Sequence, residues 1–286
     1  MNISFVVLTY NRTDALLTVL RSLAEQCSAQ HEVLIADDGS RSEELEKLFA
    51  QCPPFHCAVR HIWHPDTGFT AAGARNLAAA HAHGEYLVFL DGDCVPNRKL
   101  VAQHTRLAEA GCFVNGSRVL LSQTLSGRVL RGEVDVAHSS AAFWFKAWLR
   151  GDSNKLLHLL NWPWRLFRVK QGFAWRGIRS CNLGVWRQDF LKVNGFDGTF
   201  QGWGHEDADL VLRLNHLGVQ RKNGFMATEV FHLWHQENKR DRESFNKNRV
   251  IKRMQTDQVQ ADRGLREIDP ESPIKITQLS PKKSLL

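Results

Sequence analysis

The sequence predicts an α/β fold, with a mostly parallel central sheet flanked by helices. Short apolar segments typical of buried strands alternate with segments whose apolar residues recur at helical spacing. The segment 86–90 is apolar throughout, as expected of a central strand buried on both faces. Several of these strands end abruptly in polar residues, which is where parallel sheets bind their ligands.

Each element follows from its local pattern. Apolar or β-branched residues predict strands at 5–8, 33–36, Ala58–Trp63, 86–90 and 178–185. Apolar residues at helical spacing predict helices that begin near Thr13 and that cover Ser42–Gln51, 70–83, 97–110 and 187–193. Gly218 ends another predicted helix, which begins near Glu206. This alternation of strands and helices favours parallel pairing.

Composition sets limits on the class of protein. The 286 residues are 43% hydrophobic, enough for one large α/β domain or two small ones. No apolar run has the length of a membrane span, and Met1 leads directly into a strand without a signal-peptide pattern, so we expect a cytosolic protein. The six cysteines form no CxxC pair. The net charge of +7 predicts an anionic partner, which could be nucleic acid, a membrane surface or a phosphorylated substrate.

Three polar segments follow predicted strands, at 9–12, 37–40 and 91–93. Ligands bind beyond the carboxyl ends of parallel strands, so these segments should converge on one crevice. Asp91 and Asp93 beside a buried strand suggest a cation and, with it, a phosphate ligand. An ordinary turn is the alternative. Arg75, in a predicted helix, could reach a diphosphate or could simply be solvated.

Four segments of the first half carry a family resemblance. They are Val6-Val7-Leu8-Thr9-Tyr10-Asn11-Arg12, Asp37-Asp38-Gly39-Ser40, Gly73-Ala74-Arg75-Asn76 and Asp91-Gly92-Asp93. In this order and spacing they resemble the GT-A (Rossmann-like) nucleotide-sugar domain of glycosyltransferase family 2. The resemblance implies that Thr9 and Tyr10 line the base pocket, that Asp38 accepts a hydrogen bond from uracil, that Asp91 touches the ribose or the metal, and that Asp93 coordinates Mn²⁺ or Mg²⁺. Arg12, Arg75 and Gly92 complete the nucleotide-sugar-binding set that it implies.

The middle of the chain, residues 124–178, is rich in tryptophan and in basic residues, with predicted amphipathic helices at 141–148 and 156–167. Three interpretations remain open: a helical subdomain with its own small tryptophan core, an acceptor-binding wall, or a patch that contacts an anionic membrane surface. Basic residues interleaved with aromatic ones also suit single-stranded nucleic acid. No RNP, KH or helix-turn-helix pattern accompanies them, so no specific nucleic-acid partner is expected.

A second motif, Gly202-Trp203-Gly204-His205-Glu206-Asp207, lies directly before a predicted helix. Acidic residues in a first helical turn commonly just complement the helix dipole. An aromatic ring beside carboxylates is also a common way to build a sugar site, because the ring packs on C–H groups while the carboxylates accept hydroxyl hydrogen bonds.

The motif resembles the one shared by β-1,4-galactosyltransferases and bacterial chondroitin-type polymerases. The similarity implies that Asp207 is the general base, that Glu206 holds the acceptor, and that Trp203 packs on a sugar. Gly204 and Asn182 complete the implied acceptor-binding set. By the same likeness to GT-A enzymes, His232 should complete the metal site, with His235 as the alternative. An aspartate near a helix N-terminus should stay ionised at pH 7 and be a weak base, which suffices if the proton moves late.

The two resemblances predict four parts: a nucleotide-sugar-binding half (1–123), a helical insertion (124–178), an acceptor and catalytic half (179–237) and a charged tail (238–286). In the tail we expect a helix at 241–266 and disorder or loose packing after Glu267. The expected activity is an inverting, metal-dependent transfer of Gal, GalNAc or GlcNAc from a UDP-sugar. The expected acceptor is a glycan or a lipid-linked molecule in bacterial surface polysaccharide or lipopolysaccharide assembly, at the cytoplasmic face of the inner membrane. A sugar nucleotidyltransferase and a non-catalytic binding module remain the alternatives.

Overall fold

The computed structural model describes residues 1–157, 168–170, 172–174, 177–202, 204–236 and 241–280. Its helices are α1 (Thr13–Ala24), α2 (Ser42–Gln51), α3 (Ala71–Ala80), α4 (Leu100–Leu107), α5 (Gln123–Leu130), α6 (Ala141–Leu149), α7 (Arg187–Lys192), α8 (Glu206–His216) and α9 (Glu243–Arg253). Its strands are β1 (Ile3–Thr9), β2 (Glu32–Asp37), β3 (Ala58–Trp63), β4 (Tyr86–Asp91), β5 (Cys94–Pro96), β6 (Cys112–Asn115), β7 (Ser117–Leu120), β8 (Val169–Lys170), β9 (Asn182–Trp186), β10 (Gln220–Asn223), β11 (Glu229–His232) and β12 (Lys275–Ser280).

The main sheet has nine strands in the order β12-β3-β2-β1-β4-β9-β6-β10-β8. β3, β2, β1 and β4 are parallel, and β6 is parallel to β10. β9 lies antiparallel between β4 and β6, and the edge strands β12 and β8 are also antiparallel to their neighbours. The predicted mostly parallel sheet is therefore confirmed.

Two hydrophobic cores cover the two faces of this sheet. On one face α1 and α5 contribute Leu16, Leu20 and Leu125, and on the other α3 and α8 contribute Ala74 and Leu210. The residues of β4 from 86 to 90 are fully buried, because the strand lies between β1 and β9 with helices above and below it. The carboxyl ends of the parallel strands β1, β2 and β4 consequently lie at one edge of the main sheet.

A smaller sheet, in the order β5-β11-β7, begins where β4 ends. β11 runs antiparallel to β5 with His232 opposite Cys94, and the Leu233 amide donates to the Asp93 carbonyl at 2.9 Å. This pairing brings the chain around residue 232 back to the acidic end of β4. Segments almost 140 residues apart in sequence thus meet at one edge.

The middle segment packs against the body of the protein. Trp144 of α6 is 2% exposed and stacks on Phe231 of β11 at 4.7 Å between ring centroids. The Trp144 ring is therefore buried against the main body of the protein and not in a separate tryptophan core. The predicted helix at 156–167 and Trp162, Trp164 and Trp175 lie outside the described residues, apart from the first two positions of that helix. None of the described helices has the length and apolar character needed to cross a lipid bilayer.

The C-terminal segment packs more closely than its sequence suggests. α9 ends at Arg253, well before the predicted limit of 266. Beyond it the chain continues in bends that hydrogen-bond to the domain, including Ala261 N to Val193 O at 3.0 Å and Leu265 N to Asn194 O at 3.1 Å. β12 then joins the main sheet beside β3. The expectation of disorder or loose packing after Glu267 is wrong for Lys275–Ser280, because the open edge of β3 supplies these residues with backbone partners.

Buried Glu229 on β11 makes the stability of the fold depend on pH. It is 1% exposed, and burial raises its pKa to about 7 even though Lys155 and Arg168 act in the opposite direction. An unfolded glutamate titrates near pH ~4.3, so between that value and about 7 the folded chain keeps a proton that the unfolded chain has lost. The free energy of unfolding should therefore fall as pH rises through this window.

The variant Glu229→Gln, which mimics the protonated carboxyl, isolates this contribution. Urea unfolding of both proteins at pH 5, 6, 7 and 8 should show the variant gaining stability relative to wild type up to about pH 7 and then holding a constant difference. A difference that stays flat from pH 5 to 8 would mean that Glu229 titrates normally.

Candidate active site

Backbone hydrogen bonds hold the ends of β1, β2 and β4 together. Gly92 N donates to Leu8 O at 2.7 Å, and Asp38 N donates to Thr9 O at 3.0 Å. A Cβ at position 92 would lie 2.8 Å from Leu8 O, which only glycine avoids. Thr9, Asp38 and Gly92 therefore converge on one crevice, as their positions after the strands predict.

Asp38 is held from within the protein. It is 4% exposed and accepts hydrogen bonds from the Thr70 amide, at 3.0 Å, and from the Thr70 hydroxyl. His64 Nε2 lies 3.1 Å from its Oδ1, and this contact raises the pKa of His64. A carboxylate offers about four lone-pair sites, so a further donor can still be accepted. Nothing in the sequence indicated Thr70 or His64, because both meet Asp38 only through tertiary contacts.

Tyr10 and Arg12 flank the crevice. The Tyr10 ring is 48% exposed and its hydroxyl donates to Asp66 Oδ2 at 2.8 Å. Asn11 between them adopts a left-handed backbone with φ of 51°, so successive side chains diverge. Arg12 Nη1 lies 3.2 Å from Asp93 Oδ2. The segment after β1 therefore places the exposed ring of Tyr10 and the guanidinium of Arg12 at the same edge of the sheet.

Asp93 and two histidines form the candidate metal centre. His235 Nε2 lies 3.3 Å from Asp93 Oδ2, and His232 Nε2 lies 3.8 Å from Asp93 Oδ1. The imidazole centroids are 5.2 Å apart, and burial lowers the pKa of His232, which favours its neutral, ligating form. One carboxylate and imidazole nitrogens are a donor set suited to Mn²⁺ and related divalent ions. Both histidines predicted as alternatives reach the same carboxylate.

Arg75 joins the acidic end of β4 to the second motif. Its side chain is 3% exposed, with Nη2 2.7 Å from Asp91 Oδ1 and Nη1 3.7 Å from Glu206 Oε1. The alternative of a solvated arginine is thereby excluded. The two motifs, more than 100 residues apart in sequence, meet at one guanidinium. Tertiary contact alone reveals this, since neither motif indicates the other.

The first turn of α8 presents the two adjacent acids. His205 precedes it in a left-handed conformation with φ of 70°, an uncommon backbone for a residue with a Cβ. Asp207 Oδ1 accepts a hydrogen bond from Ala208 N at 2.7 Å and Oδ2 accepts one from Ser180 N at 3.2 Å. These contacts fix the orientation of the Asp207 carboxylate.

Burial raises the pKa values of Glu206 and Asp207 above those expected at a helix N-terminus. Burial and the neighbouring Asp207 charge raise the pKa of Glu206 to about 7, against the opposing effect of Arg75. Burial also raises the pKa of Asp207, against its backbone hydrogen bond from Ala208 and the charge of Arg75. Desolvation thus outweighs the helix N-terminus, so Asp207 is a stronger base than an exposed aspartate. Glu206, with a pKa of about 7, is suited to exchange a proton near neutral pH.

A buried amide secures the loop before α8. Asn246 of α9 is fully buried and its Nδ2 donates to Gly204 O at 3.0 Å and to Gln201 O at 3.2 Å. Gly204 has φ of 106°, which its missing Cβ permits. Trp203, predicted to pack on a sugar, lies outside the described residues. Asn246 was missed from sequence because it lies in a charged segment with no motif.

Asn182 has a different place from the one predicted. It is 1% exposed, its Nδ2 donates to Ser117 O at 3.1 Å and to Thr228 O, and its Oδ1 lies 3.0 Å from His104 Nε2. Every polar atom of the side chain is thus engaged in the interior. The implied role in acceptor binding is wrong for this residue, which instead ties β9 to the smaller sheet.

Known proteins resemble this chain over much of its length. Residues 167–236 match the N-terminal domain of galactosyltransferase. The chain is 28% identical over 229 residues to validoxylamine A glucosyltransferase of Streptomyces hygroscopicus subsp. jinggangensis, covering 76% of this chain and 52% of that protein. It is 25% identical over 256 residues to the chondroitin synthase of Escherichia coli, covering 82% of this chain and 34% of the synthase. The chain therefore spans about half or less of these relatives.

Solved structures share the fold. A mannosyltransferase of Pyrobaculum calidifontis, solved with GDP-Man and Mn²⁺, aligns with a TM-score of 0.52 at 16% identity, over 82% of this chain and 58% of that one. TarS of Staphylococcus aureus, solved with UDP-GlcNAc, aligns with a TM-score of 0.54 at 16% identity, over 83% and 60%. Residues 4–159, more than half of the sequence, match the family model described as glycosyl transferase family 2. The chain has the GT-A fold and belongs to glycosyl transferase family 2.

Proposed function

We propose that the protein transfers a sugar from a UDP-sugar to an acceptor hydroxyl with inversion at the anomeric carbon. The observation that supports this most is the guanidinium of Arg75 between Asp91 and Glu206. It makes the donor side and the acceptor side two walls of one cleft. A single displacement requires donor and acceptor to meet in one such space.

The donor side is the half formed by residues 1–123. Thr9 and Tyr10 would line the base pocket, and Asp38 would accept from the uracil, using a lone pair left by Thr70. Arg12, Arg75, Asp91 and Gly92 would surround the ribose and the phosphates. Asp93, with His232 or His235, would hold Mn²⁺ or Mg²⁺. Such an ion supplies positive charge to stabilise a departing diphosphate.

The acceptor side is the half formed by residues 179–237. Asp207, oriented by Ser180 N and Ala208 N, would remove the proton of the attacking hydroxyl. Glu206 would accept a hydrogen bond from a neighbouring acceptor hydroxyl, and the segment Trp203-Gly204 would pack on a sugar. A raised pKa in Asp207 serves this role, because a general base works best when its pKa approaches the working pH.

The expected acceptor is a glycan or a lipid-linked molecule of bacterial surface polysaccharide or lipopolysaccharide assembly. Similarity to a chondroitin synthase and to the galactosyltransferase domain supports Gal, GalNAc or GlcNAc as the sugar. Under this proposal the insertion at 124–178 lies on the acceptor or membrane side, and the tail at 238–286 braces the catalytic loop through Asn246.

A donor screen tests the proposal. Thermal unfolding is followed with UDP-Gal, UDP-GlcNAc, UDP-GalNAc, UDP-Glc, and GDP- and dTDP-sugars, each with and without Mn²⁺. We expect stabilisation by a uridine donor that grows with Mn²⁺, since a ligand bound only by the native state raises the unfolding temperature. The stabilising donor should then release UDP slowly during incubation, which a non-catalytic module would not do. Stabilisation by a guanosine or thymidine sugar alone would overturn the uridine assignment.

Helix α6 suggests a contact with the inner face of the cytoplasmic membrane. Its outer side exposes 50% of Phe145, 44% of Trp148 and 63% of Leu149, with Lys146 and Arg150 beside them. Aromatic and aliphatic side chains flanked by cations are typical of helices that lie on anionic lipid surfaces.

Flotation with vesicles tests this contact. The protein should float with vesicles containing phosphatidylglycerol and remain unbound with phosphatidylcholine alone, and Phe145→Ser with Trp148→Ser should abolish flotation while leaving the unfolding temperature nearly unchanged. As a control, Phe49→Ser alters an exposed aromatic residue on α2. Equal flotation of the double variant would rule out this face.

A further inference from the structure

Three basic side chains border the cleft without a role in the proposed transfer. They are Arg118 of β7, Lys155 in the middle segment and Arg179 just before β9, and we call them the basic triad. Arg118 and Lys155 are half-buried and Arg179 is exposed. No sequence motif contains any of the three.

Backbone and side-chain contacts bring the three segments together. Gly116 N donates to Asn182 O at 2.8 Å, which ties the start of β7 to the start of β9. Lys155 Nζ donates to Ser117 Oγ at 2.8 Å, next to Arg118 in the chain. Arg118 and Arg179 also act together with burial to lower the pKa of Lys155, against the opposing charge of Glu229. The triad is thus a concentration of like charge.

The triad lies near Asp207, the proposed base, and near the candidate metal centre. The residue after Arg179, Ser180, donates its amide to Asp207 Oδ2 at 3.2 Å. β7 runs parallel to β11, with Arg118 opposite Val230 and, two residue pairs further along, Leu120 opposite His232. The charges therefore extend from the proposed base toward the candidate metal centre.

Across the ranges of the chain that the structure describes, the side chains of Arg118 and Arg179 make neither a hydrogen bond nor a close ion pair. Arg179 acts on the Asp207 carboxylate only at longer range, where its charge opposes the rise in the Asp207 pKa. Guanidinium groups offer a fixed fork of donors that matches the two oxygens of a carboxylate or a phosphate. Like charges held close together repel one another, and an oxyanion bound among them would relieve that repulsion.

We propose that the basic triad binds an oxyanion, a carboxylate or a phosphate, carried by the acceptor. The substrate class is then an anionic glycan or a phosphorylated carrier, oriented with its hydroxyl toward Asp207. The inference rests on the proposed function, because it takes the neighbourhood of Asp207 as the acceptor side. The diphosphate of the donor is the other possible source of the same chemistry, and the experiment distinguishes the two.

The test compares charged probes with neutral ones of similar shape. With UDP and Mg²⁺ held at saturation, thermal unfolding and calorimetry are followed on titration with glucuronate against glucose, and with glycerol phosphate against glycerol. The charged probes should bind and the neutral ones should not. Arg118→Gln combined with Arg179→Gln should weaken binding of the charged probes by about tenfold or more, because two charge-assisted contacts are lost. Affinity for UDP should change less than about twofold, within the scatter expected for a distant site.

The matched control removes equal charge elsewhere. Arg128→Gln with Arg131→Gln alters two arginines on and after α5 that pair with Glu133 at the surface, and it should leave the affinities for all probes unchanged. Equal losses in the control pair would mean that overall charge, not the triad, attracts the probes, and would overturn the proposal. So would charged probes that bind no better than neutral ones, or a triad variant that loses affinity for UDP instead.

Failure of the proposed function gives a different pattern. In that case UDP fails to bind wild type, with or without Mg²⁺. The charged and neutral probes are therefore also titrated without nucleotide. Binding of oxyanions that depends on Arg118 and Arg179 in that titration supports the triad as an oxyanion site, and its absence in both titrations overturns it.

Discussion

Asp207→Asn is expected to lower the rate of sugar transfer by about 10²- to 10⁴-fold, the contribution typical of a general base. The amide keeps the size of the carboxylate and one oxygen to accept a hydrogen bond from Ala208 N or Ser180 N. It cannot take a proton from the acceptor hydroxyl. UDP should still bind with its wild-type affinity, because the proposed function assigns Asp207 to the acceptor. Steady-state transfer rates and calorimetry with UDP measure the two effects separately.

The matched control is Glu43→Gln, which removes an acid from the first turn of α2. Among the described residues that acid has no hydrogen-bond or ion-pair partner, so its main role is to complement the helix dipole and transfer should continue at the wild-type rate. If Asp207→Asn also transfers sugar at close to the wild-type rate, Asp207 is not the base, and Glu206, whose pKa is raised to about 7, becomes the group to test.

Arg253→Met is expected to lower the free energy of unfolding by about 3 to 5 kcal/mol, the cost of breaking a buried ion pair by removing one partner. Arg253 is 7% exposed, lies 3.0 Å from fully buried Asp197 and 2.6 Å from Asp262, and also contacts buried Asp209. Methionine fills similar space but leaves these carboxylates with fewer positive partners. Arg213, 2.8 Å from Asp209, retains part of the pairing. Urea unfolding at pH 7 measures the change.

A surface ion pair provides the comparison for this network. Arg131→Met removes an exposed arginine that lies 2.6 Å from Glu133, and surface pairs contribute little because water and salt screen them. Its unfolding curve should nearly overlay that of wild type. A similar small change for Arg253→Met would mean that the C-terminal segment is not held by its ion pairs, and that α9 braces the catalytic loop less firmly than the contacts of Asn246 suggest.

The first four strands of the fold could be predicted because their information is local. The apolar runs that form β1, β2, β3 and β4 and the helical spacing of α1 and α2 are visible in short windows, and right-handed parallel connections then fix their order. β12 could not be predicted in the same way. Residues 275–280 form a strand because the edge of β3 is open to them, and no short window carries that fact.

Part of the candidate site could also be predicted from local patterns, and part depends on tertiary contacts. Acids at the end of β4 and in the first turn of α8 stand in recognisable motifs, and the topology of a parallel sheet brings such strand ends together. Their connection through Arg75 depends on how α3 and α8 pack, which neither motif contains. Asn182 shows the opposite case, since its position in a motif-rich strand suggested a binding role while its amide is consumed inside the protein.

Removal and return of the metal tests the central claim most directly. The protein is stripped with EDTA and dialysed, and UDP release is measured with the UDP-sugar selected in the screen, before and after Mn²⁺ is restored, for wild type and for Asp93→Asn. We expect release to disappear on stripping, to return with Mn²⁺ in wild type, and to stay absent in Asp93→Asn, because that carboxylate faces both His232 and His235. Release that continues undiminished in the stripped protein, or that Asp93→Asn supports as well as wild type does, would contradict the account.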